Sequence, residues 1–280
     1  YRMVRKTQSN FIKFCLNSEQ AATVTVQPIE RYGFDAAILF SDILMIPWAL
    51  NRNVRFETGI GPVLDPMDKP SDVIDKDFPF FEEKLLPIGN TIKIAKNLLP
   101  KNVALIGFAG APWTIITYMA EGGSSRDFLK ARRWAWEYPK LLDGLLELLI
   151  DATISYLCIQ AKAGAECLML FDSWAGVVPA EHRNWLVIEP TSAIIKGVRK
   201  KGYNLPFIGF PKGFGDGVTR YVEESLVDII ALDHGVDPFW ANKNLPDNFP
   251  VQGNLDPISL VSAGKNMERS IDYILEAFHK

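Results

Sequence analysis

FDAAILFSDILMIP, residues 34–47, is the stretch on which the fold turns. Ala36 to Phe40 is an unbroken apolar run, which is how a strand reads when both its faces are covered in a parallel α/β sheet. The run stops at Ser41-Asp42, and apolar residues resume at Ile43. Ligands of α/β sheets and barrels bind beyond the carboxyl ends of the strands, so a carboxylate at this exit is a candidate functional group. The same aspartate could serve only to cap the turn that follows.

The pattern recurs down the chain. Apolar runs at 103–108, 167–171, 206–210, 228–232 and 250–253 end in Ala109-Gly110-Ala111-Pro112, Asp172-Ser173, Pro211-Lys212-Gly213, Asp233-His234 and Asn254-Leu255-Asp256. Helical patterns at 125–136, 139–163, 190–201, 218–225 and 262–278 separate them. Strand alternating with helix implies crossover connections and a parallel sheet. Six strands suit either an open doubly wound sheet or a distorted (β/α)8 TIM barrel whose first and last strands lie outside the supplied residues. A start at Tyr1 instead of methionine, and polar residues at every exit, favour the barrel. No composition shift divides the chain, so residues 1–280 are expected to form a single barrel domain.

Residues 1–33 read as a helical lead-in, with Ser18 opening a helix that carries Ala22, Val26 and Ile29 at helical spacing. Residues 49–75 are a Pro-, Gly- and Asp-rich excursion, in which Gly59-Ile60-Gly61-Pro62 suggests a hairpin or loop. A helix is expected from Phe78 to Leu99.

With 48% apolar residues and a net charge of −3, the chain can build a large core and has no dense basic stripe for nucleic acid. No apolar run reaches the roughly 18 residues of a membrane span, and no secretory signal is visible. Cys15, Cys158 and Cys167 are odd in number and unpaired in spacing, which fits packing residues in a reducing, cytoplasmic compartment. His182, His234 and His279 are scattered, without H-x-C, C-x-x-C or H-E-x-x-H patterns, so no protein-built metal site is expected.

The exits hold the candidate chemistry. Small residues around 109–111 let backbone approach a ligand closely. Pro112 can open a helix that places Tyr118 one turn beyond Thr114 on the same face. Its phenol could donate to a ligand carboxylate or pack at the helix–sheet seam. Ser173 lacks a G-x-S-x-G elbow, so it is a hydrogen-bond donor or a cap, not a nucleophile. Lys212 reads as a solvated loop lysine and not a Schiff-base former. Residues 252–257 read as a tight turn. Trp134, Trp136 and Trp185 suit either a surface contact or the core.

FDAAILFSDIL, GFAGAPWTIITYMAEGG, FDSWAG and QGNLDP, in that order, resemble the uroporphyrinogen decarboxylase family across essentially the whole chain, with VRFETGIGP and VIEP adding to the match. FDSWAG resembles the bacterial form. The resemblance implies a distorted (β/α)8 barrel, usually homodimeric. It implies decarboxylation of the four acetate side chains of uroporphyrinogen III to give coproporphyrinogen III, without metal or organic cofactor, in haem and tetrapyrrole synthesis. It further implies that Asp42 binds the inward pyrrole N–H groups, that Tyr118 and Ser173 contact substrate, and that Phe40, Phe108 and Phe171 line the cleft. Arg5 aligns with an arginine that contacts substrate in some members. The family's RQAGRY and Gly-His-Gly motifs, expected to supply the first and eighth strands, would precede Tyr1 and follow Lys280. GLDW of many members reads Ala231-Leu232-Asp233-His234 here, which puts His234 near the expected cleft rim. The runner-up on the same barrel is a corrinoid-linked methyltransferase, which would need His and Cys zinc ligands at strand ends. None of these exits carries that set. A porphyrin-binding scaffold that kept the fold is a third, non-enzymatic possibility.

Overall fold

A computed structural model describes all residues except Ser9, Thr58, Asp75, Lys76, His279 and Lys280. Thr58 and His279, which figured in the sequence reading, therefore lie outside the described residues. The strands are β1 (Ala36–Ile38), β2 (Arg55–Glu57), β3 (Gly61–Val63), β4 (Ala104–Gly110), β5 (Cys167–Asp172), β6 (Phe207–Pro211), β7 (Ile229–Ala231) and β8 (Val251–Gln252).

Six of them form one parallel sheet in the order β1-β4-β5-β6-β7-β8, curled into a half-barrel. The register steps evenly, with Ala36 opposite Ala104, Phe108 opposite Met169 and Phe171 opposite Phe210. Among the described residues nothing pairs with the outer edges of β1 and β8. The expected excursion carries the antiparallel pair β2–β3, so the Gly59–Pro62 segment does join a hairpin.

Helices cover the sheet's convex face. The longest, Pro139–Ala163, shows how sequence sets its bounds: Pro139 occupies the first turn, and Gly164 ends it in the left-handed region at φ 115°. Between them Leu142, Leu145, Leu146, Leu149, Tyr156 and Leu157 recur at three- and four-residue spacing and are buried. This helix packs on β4 and on helices Phe81–Leu98 and Glu189–Lys200, while Phe81–Leu98 also packs on Ser18–Tyr32.

Three local expectations change. The helix at Ser18 is capped by Asn17, whose side chain accepts from the Gln20 N–H, while the Ser18 hydroxyl donates across to the Pro87 carbonyl at 2.8 Å. The helix expected from Ser125 begins at Leu129, because the Ser125 hydroxyl accepts from the Phe128 N–H and Phe128 takes a left-handed φ of 47°. The helix expected from Ser262 begins at Gly264, after Ala263 at φ 55°, and a separate short helix, Pro257–Ser262, precedes it. Of the three tryptophans, Trp134 is core at 2% exposure and Trp136 is 62% exposed. Trp185 is half-buried and donates to Asp143 Oδ1 at 2.6 Å.

Candidate active site

Beyond β1 the backbone leaves the sheet in short steps, each held by one hydrogen bond. Leu39 N–H still donates to the Ile106 carbonyl at 3.0 Å, Phe40 N–H donates to the Thr25 hydroxyl at 2.9 Å, and the Ser41 and Tyr156 hydroxyls meet at 3.2 Å. Asp42 Oδ1 then accepts from the Leu44 N–H at 2.8 Å, so the capping role foreseen for this carboxylate is real. It occupies only one oxygen. Oδ2 has no hydrogen-bond partner among the described residues, and Asp42 lines a cavity of about 740 Å³.

The loop is seated by Gly110. A Cβ there would lie 2.8 Å from Ile115 Cδ1 and 2.9 Å from Ile43 Cβ, so the small residue at this exit makes room for the Asp42 loop. Ser41, Asp42 and Ser173 form the polar end of the cavity, against Phe40, Phe108 and Phe171. The rings are locked edge to face: Phe108 and Phe171 have centroids 5.4 Å apart at 88°, and Phe171 and Phe210 are 5.9 Å apart at 84°. Burial among these groups raises the Asp42 carboxyl to about 6, partly opposed by the Leu44 N–H. The carboxylate is therefore ionised at neutral pH but poorly solvated.

Five of the seven candidate residues thus meet at one cavity: Phe40, Asp42, Phe108, Phe171 and Ser173. Tyr118 sits beside it, on helix Pro112–Glu121, and is 9% exposed. Burial raises its phenol, the Trp174 indole N–H lowers it, and Asp42 lies near enough to raise it further. Arg5 does not line the cavity. Its guanidinium donates to the Gln8 carbonyl and lies 5.7 and 6.0 Å from the ring centroids of Phe11 and Phe14, behind Phe40.

The far end of the cavity, along the unpaired edge of β1 at Ile38, is edged by Gln27 and Arg31. Neither was singled out from sequence, although their four-residue spacing places both on one face of helix Ser18–Tyr32. Asp172 was also passed over in favour of its neighbour Ser173, and it is the more deeply buried of the two. His234 lines a separate hollow of about 410 Å³ with Asn254 and Tyr273, not the rim at Asp42. Lys212 is exposed, 6.0 Å from the Trp174 ring centroid. Among the described residues no three His, Cys, Asp or Glu side chains cluster as a metal site.

The uroporphyrinogen decarboxylase (URO-D) family model matches residues 1–280. The chain belongs to the uroporphyrinogen decarboxylase family. It is 48% identical over 276 residues to uroporphyrinogen decarboxylase of Maricaulis maris, covering 99% of this chain and 80% of that protein. It is 44% identical over 277 residues to that of Rhodospirillum rubrum, covering 99% and 79%. Among solved structures, a methyltransferase from Methanosarcina mazei superposes with a TM-score of 0.79 over 99% of this chain and 82% of that one, at 14% identity. A likeness at that identity is one of fold, and it places the decarboxylase chain on the barrel architecture expected from its strand pattern.

Proposed function

We propose that the Asp42 cavity is where uroporphyrinogen III loses the carboxyls of its four acetate side chains to give coproporphyrinogen III. The observation that carries this reading is the unpaired Oδ2 of Asp42 at the polar end of a cavity walled by Phe40, Phe108 and Phe171. Family membership and 42–48% identity to curated uroporphyrinogen decarboxylases support it.

Breaking the bond between an acetate methylene and its carboxyl releases carbon dioxide and leaves an electron pair on the methylene. A pyrrole becomes an acceptor for that pair when a ring carbon takes a proton, because the ring nitrogen then carries positive charge. The pair flows into the ring as carbon dioxide leaves. Protonation of the exocyclic carbon gives the methyl, and loss of the added ring proton restores the pyrrole. Asp42 is suited to the charged stage: its free oxygen can accept from pyrrole N–H groups and offset the charge, in surroundings where the effective dielectric is low. Because Leu44 already holds Oδ1, little reorganisation is needed when the charge appears. Ser173 and Tyr118 supply hydroxyl donors for substrate carboxylates. Arg31, which lines the cavity, is suited to pairing with a remaining carboxylate.

On this reading the enzyme needs no cofactor, acts in the cytoplasm as one barrel domain per chain, and pairs as a homodimer without nucleic-acid or membrane partners. No helix among the described residues is long and apolar enough to cross a membrane. The test is carbon dioxide release from reduced uroporphyrinogen under anaerobic conditions with a chelator present. Absence of turnover ends the reading. Sedimentation of the purified protein tests the dimer.

A further inference from the structure

We propose that Asp172 is a positioning residue, which through Thr114 locks the β5 exit carrying Ser173 to the first turn of the helix carrying Tyr118. The inference rests on the roles given above to Ser173 and Tyr118. Asp172 ends β5, between β4 and β6, and is 1% exposed. Its Oδ1 accepts from the Thr114 hydroxyl at 2.6 Å, and the same hydroxyl oxygen accepts from the Trp174 N–H at 3.1 Å. The Trp174 carbonyl in turn accepts from the Trp113 indole N–H at 3.1 Å. Both residues flanking Ser173 are therefore tied to helix Pro112–Glu121, and Tyr118 lies one turn beyond the tie.

The carboxyl is what aims the hydroxyl. Buried helical threonines ordinarily donate to the carbonyl one turn back. Thr25, Thr91, Thr153 and Thr191 each do so, to Ala21, Pro87, Leu149 and Val187. Thr114 is equally buried but sits in the first turn of its helix, where the carbonyl four residues back belongs to Gly110 of β4, and its hydrogen goes to Asp172. With its hydrogen on Asp172, the same hydroxyl oxygen is left to accept from the Trp174 N–H. Among the described residues Asp172 Oδ2 is buried without a hydrogen-bond partner of good geometry, though the Thr114 and Trp174 N–H groups also lie near enough to favour the charged carboxyl. Burial raises the carboxyl to about 7, opposed by the Thr114 hydroxyl and by those two N–H groups.

The experiment is a double-mutant cycle on the purified enzyme with uroporphyrinogen, folding being checked by circular dichroism and Tm. Thr114→Val should lower kcat/KM about tenfold through misplaced donors, and Thr114→Ser, which restores the hydroxyl, should recover it to within about twofold. In the Ser173→Ala background, Thr114→Val should cost clearly less than about tenfold more, because one of the two donors the tie positions is already removed. A folded Thr114→Val enzyme with wild-type kcat/KM, or a fully additive cycle, overturns the inference. If Thr114→Val does not fold, Asp172→Ala should fall about tenfold below Asp172→Asn, which retains an acceptor oxygen. Equal activity of those two variants overturns it instead. If Ser173→Ala leaves turnover unchanged, the substrate role of Ser173 falls and this inference with it. If Ser173→Ala is impaired but Thr114→Val is not, only the positioning role falls.

Discussion

Asp42 and Asp172 stand at the exits of β1 and β5, two strands of one sheet, and their environments push both carboxyls upward, to about 6 and about 7. What differs is the setting of the carboxyl. Asp42 spends Oδ1 on the Leu44 N–H, leaves Oδ2 without a hydrogen-bond partner among the described residues, and lines the cavity. Asp172 spends Oδ1 on Thr114 and buries Oδ2 against protein. A raised carboxyl at a strand end is therefore not in itself a catalytic signature. That Asp42 lines the cavity while Asp172 is 1% exposed separates a group that can meet charge on a substrate from one that arranges its neighbours.

The sharpest way to break this contrast is Asp42→Asn. The amide keeps the Oδ1 acceptor for Leu44 and removes the negative charge, so kcat should fall on the order of 10²–10³ while circular dichroism stays native. A loss of folding without a separate loss of turnover would leave Asp42 as a cap only. Next is the stability of an Asp172→Asn variant against pH. Burial favours the neutral carboxyl, so the native state holds a proton that the unfolded chain releases between pH 3.8 and about 7. Wild-type stability should therefore decline as pH rises through that window and level off above it. Such a displacement corresponds to about 4 kcal/mol, and denaturant melts at pH 8 should show the asparagine variant recovering part of it.

A third measurement returns to Asp42 through the rate. If the ionised carboxylate is the working form, kcat/KM should drop as pH falls through about 6. At pH 5 the loss should be about tenfold, and the limb should be missing from the residual activity of Asp42→Asn. The smallest expected effect is that of Tyr118→Phe, which removes one hydroxyl near Asp42. A hydrogen bond to substrate is worth about 1 kcal/mol, so kcat/KM should fall about fivefold with little change in Tm. An unchanged kcat/KM would assign Tyr118 to the helix–sheet seam.

Much of the architecture was legible in advance because it rests on short-range rules. Runs such as 167–171 and 206–210 are apolar throughout because both faces of a central strand are covered, and β5 and β6 appear there. Pro139 and Gly164 likewise announce the ends of the longest helix. The misread boundaries lie where a side chain competed for backbone. Asn17 displaced Ser18 as the cap, and the Ser125 hydroxyl held the turn before Leu129. At the site, Phe40, Phe108 and Phe171 could be placed together from their motifs, but Arg5 could not be kept out of the wall. Its stacking over Phe11 and Phe14 is a tertiary contact with no fixed sequence signature.

The order of strands, their exits and the motifs that place the chain in its family follow from the sequence, since periodicity and turn chemistry act over a few residues at a time. Which oxygen of Asp42 stays without a partner, that the Thr114 hydroxyl donates to Asp172, and that His234 lines a different hollow were decided only by the tertiary structure. Each depends on groups tens of residues apart arriving within a few ångströms, and on how much water that arrival leaves behind.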